Sequence, residues 1–124
     1  PVKSLLDAGA KVSYGADTHE DPLRQPMFNL EVLVTRRVKD GRVFGPREAI
    51  DRDSALLMMT RWGADYVLRN DELGSLEPGK LADLVVLDKN PLDLNLADED
   101  LSEIKILATV IAGEVAYGAL TTDN

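Results

Sequence analysis

The sequence predicts an α/β chain with its helices first and its strands last, which on its own reads as α+β. Three observations carry this. Apolar residues recur at helical spacing over 27–38 and again over 50–68. By contrast, 84–87, 104–111 and 114–117 are short apolar or alternating runs bounded by turn residues, as strands are. Near the start, a helical stretch, a glycine turn and an alternating stretch ending in a carboxylate follow one another, the local grammar of a (β/α) unit.

Composition narrows the function classes. With 124 residues the chain is one domain's worth, enough for a modest core. The net charge of −8 argues against nucleic acid and against an anionic membrane surface as partner. There is no cysteine, so a disulfide framework and a thiolate metal site are both excluded. No apolar run approaches the length of a membrane span and no basic-then-apolar leader is present, so a cytoplasmic location is expected. The chain opens on Pro1-Val2-Lys3 without a methionine, which, taken with the family resemblance given below, makes a piece of a longer protein the expectation.

In order, Val2, Leu5 and Leu6 fall at helical spacing, and Gly9 sits where a helix end wants a left-handed residue. Residues 11–15 alternate with period two and predict a short strand running into Gly15-Ala16-Asp17-Thr18-His19. Residues 21–26 hold two prolines and read as a turn-rich loop. Met27, Leu30, Val34 and Val38 then form one helical stripe with Leu33 beside it, and Lys39-Asp40-Gly41 is expected to end that helix. Asp51 reads as an N-cap, Asp53 suits the positive end of the helix dipole, and Ile50 can staple onto Ala55. Ala55, Leu56, Met59 and Trp62 are the expected buried face, with Gly63 interrupting before a second helical piece over 64–68.

The most informative stretch is Gly74-Ser75-Leu76-Glu77-Pro78-Gly79-Lys80-Leu81-Ala82-Asp83-Leu84-Val85-Val86-Leu87-Asp88. Pro78-Gly79 is a turn, because proline presets φ at the first central position and glycine accepts φ > 0 at the second. Leu84–Leu87 reads as a buried strand, too short for a helix. Beyond it, Asn90-Pro91-Leu92 is a turn, and 93–102 is acidic and irregular with a helical turn expected over 98–101. Ala112-Gly113 between two strand-like runs signals a hairpin, and 121–124 is expected to be a frayed tail.

The 74–88 stretch resembles a segment near the C-terminus of amidohydrolase-superfamily enzymes, close to G-S-L-x-P-G-K-x-A-D-L-V-V-L-D, and matches it at every fixed position. Gly15-Ala16-Asp17 resembles the G-(S/A)-D ending of that family's last barrel strand. Thr60-Arg61-Trp62-Gly63-Ala64 is similar to its T-x-x-(G/A)-A helix pair, which would make a tight corner here. Val110, Gly113, Val115 and Tyr117 sit within its closing strand pattern. The resemblance implies the C-terminal part of a (β/α)8 TIM-like barrel over 1–72, closing strands of a small composite β-sandwich over 73–120, and a tail over 121–124. Its first seven strands and the first sandwich strands have no counterpart in this sequence, Ala16 stands where serine is commoner, and 93–103 is less diagnostic.

What the resemblance implies chemically falls on few residues. Asp17 would bind or face a divalent metal, zinc in the intact enzyme, and act as general base toward a water whose pKa the metal lowers toward about 7. From its three-residue motif alone, Asp17 reads better as a cap of the following turn; the strand predicted before it and the 74–88 motif in register favour the metal-facing role. His19, the sole histidine, is a secondary metal candidate and otherwise an exposed loop residue. His19, Asp21 and Arg24 are candidates for lining the substrate, beside the reading of solvated loop charges. Since a zinc site takes three or four protein ligands, this chain by itself is expected to bind no metal and to be catalytically silent. The implied parent hydrolyses non-peptide carbon–nitrogen bonds of a small-molecule substrate, of amide, imide or carbamate type. Two alternatives stand beside it: a non-catalytic α+β module that self-associates, and one subunit of a split hydrolase. A homo-oligomer through exposed strand edges and apolar helix faces is expected.

Overall fold

The computed structural model describes residues 1–17, 19–21 and 25–120. Its elements follow the order helix α1 (Val2–Asp7), α2 (Pro26–Thr35), α3 (Arg52–Met59), α4 (Arg61–Tyr66), then strands β1 (Leu84–Leu87), β2 (Ile106–Ile111) and β3 (Glu114–Gly118). Short 3₁₀ turns lie at Pro46–Glu48 and Asp98–Glu103.

The core is built around α2. Pro26 occupies the first helical turn, where its missing N–H costs nothing. Met27, Leu30, Leu33 and Val34 are buried, as their spacing predicts, and meet Ile50, Ala55 and Met58 from the α3 side and Leu101 and Ile104 from the 3₁₀ turn. Leu30 and Leu101 are fully enclosed, and each such leucine is worth about 1.5–3 kcal/mol of burial. Glu31 is buried too, and its Oε2 accepts the Ser102 N–H at 3.0 Å, which pins α2 to the 3₁₀ turn.

Helix α2 stops at Thr35, short of the predicted end at 39–41. Arg36 takes the left-handed conformation at φ 59°, with its N–H on the Val32 carbonyl. The Thr35 hydroxyl bonds the Glu31 carbonyl and accepts the Arg37 N–H, so it competes for the backbone groups that would extend the helix. Residues 36–44 then form a small hairpin bridged between Arg37 and Val43. Asp40-Gly41 is its turn, with Gly41 at φ 83°, a hairpin signal that overrides the helical stripe at Val38.

Helix α1 ends before Gly9 at φ 83°, as expected, and Ser4 ties it to Glu48 through both its N–H and its hydroxyl. The strand predicted over 11–15 does not form. The segment is irregular, with Val12 and Tyr14 packed on the core and the Tyr14 N–H donating to the Met58 carbonyl at 3.0 Å. A strand needs a ladder partner, and no other strand among the described residues lies beside this segment.

Asp51 caps α3: its carboxylate accepts the Ser54 N–H at 2.7 Å and the Ser54 hydroxyl at 2.8 Å. Ile50 and Ala55 share the core cluster, as a hydrophobic staple would. Met58, absent from the predicted face, is the more deeply buried methionine, whereas Leu56, Met59 and Trp62 are half-buried. The helix break falls at Thr60 (φ −129°, ψ −90°) and not at Gly63, which lies inside α4. Thr60 returns its hydroxyl to the Leu56 carbonyl at 2.6 Å, closing α3 before glycine is needed.

The three strands form one antiparallel sheet in the order β1-β2-β3. Leu84 faces Val110, Val85 faces Thr109, and Thr109 faces Tyr117. Ala112 and Gly113, at φ 51° and 85°, make the predicted hairpin turn, the geometry of a type I′ pair. Ala108 and Val110 are buried on one face. The other face carries Val85, Leu107, Ile111 and Tyr117, all about half exposed or more. Strand β1 is therefore half-buried, a correction to the buried strand its unbroken apolar run predicts: only one face of this sheet is covered.

Candidate functional site

Two regions hold the residues that sequence reasoning singles out. The first is the loop that follows residues 11–15. Asp17, His19, Glu20 and Asp21 are all exposed, and Asp17 takes a left-handed backbone at φ 45° that aspartate tolerates better than most residues. Among the described residues no hydrogen bond or ion pair engages the Asp17 carboxylate, so the capping alternative has no bond to support it. The main-chain carbonyl of Asp21 accepts the Lys39 ammonium at 3.0 Å. Arg24 lies outside the described residues. Asp17, His19 and Asp21 thus lie exposed, outside any helix or strand.

Among the described residues no group of three or more histidines, aspartates and glutamates is placed to hold an ion. One carboxylate with one imidazole nearby is less than the three or four ligands that zinc takes from protein.

The second region is the stretch from Gly74 to Asp88, and there nearly every polar or special residue has a structural task. Gly74, at φ 85°, lies so close to α4 that a Cβ would come within 2.7 Å of the Ala64 Cβ. Gly79, at φ 95°, completes the turn closed by Lys80 N–H to the Glu77 carbonyl. The Lys80 side chain, only 12% exposed, donates to the Asn70 carbonyl at 2.6 Å, the Leu73 carbonyl at 3.3 Å and the Ser75 hydroxyl at 2.7 Å. Ser75 in turn donates to Glu77, and that bond, followed by Lys80, holds the Glu77 carboxyl below the usual range. Asp83 accepts the Ala112 N–H at 2.7 Å across the hairpin turn. Asp88 accepts the Lys105 N–H at 2.8 Å where β2 begins. The stretch is an architectural clamp.

Sequence reasoning missed a comparable clamp at Arg52. Its guanidinium, on a side chain 11% exposed, bonds the Asp98 carboxylate at 2.7 Å and the carbonyls of Pro91, Asp93 and Leu96. It fastens the acidic 90–98 segment to the start of α3. The only signal available was an arginine immediately after an N-cap, and the carbonyls it serves lie some forty residues further on.

Comparison with known proteins gives this arrangement a setting. The Amidohydrolase family pattern matches residues 1–117. N-substituted formamide deformylase of Arthrobacter pascens is 38% identical over 117 residues, covering 94% of this chain and 21% of that protein. A 5-methylthioadenosine/S-adenosylhomocysteine deaminase of Teredinibacter turnerae is 36% identical, covering 84% of this chain and 23% of its own length. The chain spans about a fifth of the length of the curated relatives it matches. The crystal structure of an amidohydrolase from Thermotoga maritima superposes with a TM-score of 0.68 over 95% of this chain and 26% of that one, at 22% identity, a likeness of fold. On the match that runs from the first residue to Tyr117, the chain belongs to the amidohydrolase family.

Proposed function

We propose that the chain is the C-terminal portion of a hydrolase that cleaves non-peptide carbon–nitrogen bonds, and that Asp17 is its contribution to the reacting centre. The observation that carries this reading is the 38% identity to N-substituted formamide deformylase across 94% of the chain. The substrate class is a small amide, imide or carbamate, with N-substituted formamides the first members to test. In this reading 1–72 closes a (β/α)8 barrel and 73–120 supplies the last strands of a small sandwich. The one-fifth share of the relatives' length supports reading the chain as a portion of a longer enzyme. A cytoplasmic location belongs to the same proposal; among the described residues no helix is long and apolar enough to cross a membrane.

The chemistry assigned to this chain is proton transfer. A divalent metal, zinc in this reading and held mainly by residues outside these 124, would supply a water of lowered pKa. Asp17 takes a proton from the attacking water on one carboxylate oxygen. As the carbon–nitrogen bond breaks, it returns that proton to the leaving nitrogen, so the carboxylate is regenerated and an amine departs. An exposed carboxylate with no competing partner suits this task.

The test is amine release from N-substituted formamides by the full-length protein that carries this sequence, beside its Asp17→Asn variant. Turnover by the unmodified protein and a loss of at least about 100-fold in the variant are expected. Equal turnover in both, or no release from any amide-type substrate, would overturn the assignment. Self-association is a second part of the reading, favoured by the exposed sheet face of Val85, Leu107, Ile111 and Tyr117. Solution mass decides it: a strict monomer removes it.

A further inference from the structure

Three of the five residues from Asp17 to Asp21 are acidic, and they follow a segment that is irregular although its alternation predicts a strand. The backbone there needs an anchor if the Asp17 carboxylate is to meet a substrate in a defined place. We propose that Lys39 is that anchor, a positioning residue for the loop carrying Asp17. Its ammonium donates to the Asp21 main-chain carbonyl at 3.0 Å, across eighteen positions of sequence.

The hairpin is built so that the lysine can do this. Continued as a helix, α2 would carry residue 39 about 20 Å along its axis from Pro26, away from the loop that enters the helix. Instead Arg36 turns left-handed and the chain doubles back through Asp40-Gly41. The Val38 N–H closes on the Arg42 carbonyl at 2.9 Å and the Phe44 N–H on the Arg36 carbonyl at 3.0 Å. Asp40 accepts both the Arg42 N–H and its guanidinium, and those two bonds, the guanidinium first, hold the Asp40 carboxyl below its usual range. Asp40 is thereby occupied within the hairpin, and Lys39 beside it turns to the loop. A main-chain acceptor fixes the loop backbone itself. Its reach to Asp17 is short, since four residues span at most about 14 Å.

This inference rests on the proposed role of Asp17 for its catalytic meaning, but its test does not need turnover. His19 is the chain's one histidine and stands inside the loop, so its imidazole proton signals report the loop alone. In Lys39→Ala the His19 signals should shift and sharpen as the loop loosens, while methyl signals of the core stay in place. Lys39→Arg, which keeps a long donor, should return them toward the unmodified values. In the hydrolase, the alanine variant should lower kcat about tenfold or more with little change in KM, because a misplaced group costs rate before it costs binding. Unchanged His19 signals in Lys39→Ala would overturn the proposal, whatever the hydrolase does. Moved signals with no detectable hydrolysis would uphold the anchor and count against the function.

Discussion

The loop at 15–21 and the clamp at 74–88 are the two parts of this chain that most resemble an enzyme family, and they use polar residues in opposite ways. In the clamp, Ser75, Lys80, Asp83 and Asp88 each hold backbone or one another. In the loop, Asp17 and His19 are exposed, and Asp17 has no partner among the described residues. A motif rich in aspartate and lysine therefore marks construction when its side chains are bonded inward. A shorter, poorer motif leaves its carboxylate open, which is what the proposed role of Asp17 requires.

The comparison can be broken by asking which residues carry stability. The largest effect is expected from Leu30→Ala at the centre of the core, a loss of about 2–5 kcal/mol in urea unfolding. A loss below about 1 kcal/mol would mean that α2 is not the centre of the fold. Next comes Arg52→Ala, which strips donors from three carbonyls and the Asp98 carboxylate and should cost about 2–3 kcal/mol. Amide exchange should show residues 90–98 loosening first; uniform loosening would deny the clamp.

Removing the cap with Asp51→Ala should cost about 1 kcal/mol. Its pH dependence has a definite sign. The Ser54 N–H, ahead of the Ser54 hydroxyl, holds the folded-state carboxyl of Asp51 below its ordinary value. The cap's contribution is therefore complete above the unfolded-state pKa of about 4 and is lost as the pH falls through the lower folded value. Unmodified and Asp51→Ala proteins should converge in stability in acid; a constant difference would contradict this. The smallest effect belongs to Asp17→Asn, which should leave the melting temperature unchanged, because asparagine also accepts φ 45° and no bond is lost. A marked drop would move Asp17 from chemistry to structure.

Much of this was legible in the chain. The helical stripe of α2 from Met27, the Asp51 cap, the Pro78-Gly79 turn, strand β1 and the Ala112-Gly113 hairpin all rest on groups a few residues apart. The family was legible for the same reason, since its signature is a run of turns and caps. Four features were not: the early stop of α2, the break at Thr60, the missing strand at 11–15 and the half-open face of β1. At Thr35 and Thr60 a hydroxyl takes a carbonyl one turn back, a choice that periodicity does not register.

By itself the sequence determined where the backbone could turn, where helices could begin and which residues were apolar enough to be buried. Those outcomes follow from side-chain sterics and from hydrogen bonds within a single turn of chain. The tertiary structure decided what each polar group was for. Arg52 and Lys80 became clamps because distant carbonyls arrived beside them, and Lys39 met Asp21 because a hairpin doubled back. Residues 11–15 stayed irregular because alternation makes a segment fit for a sheet, while the bonds that make it a strand must come from a neighbour.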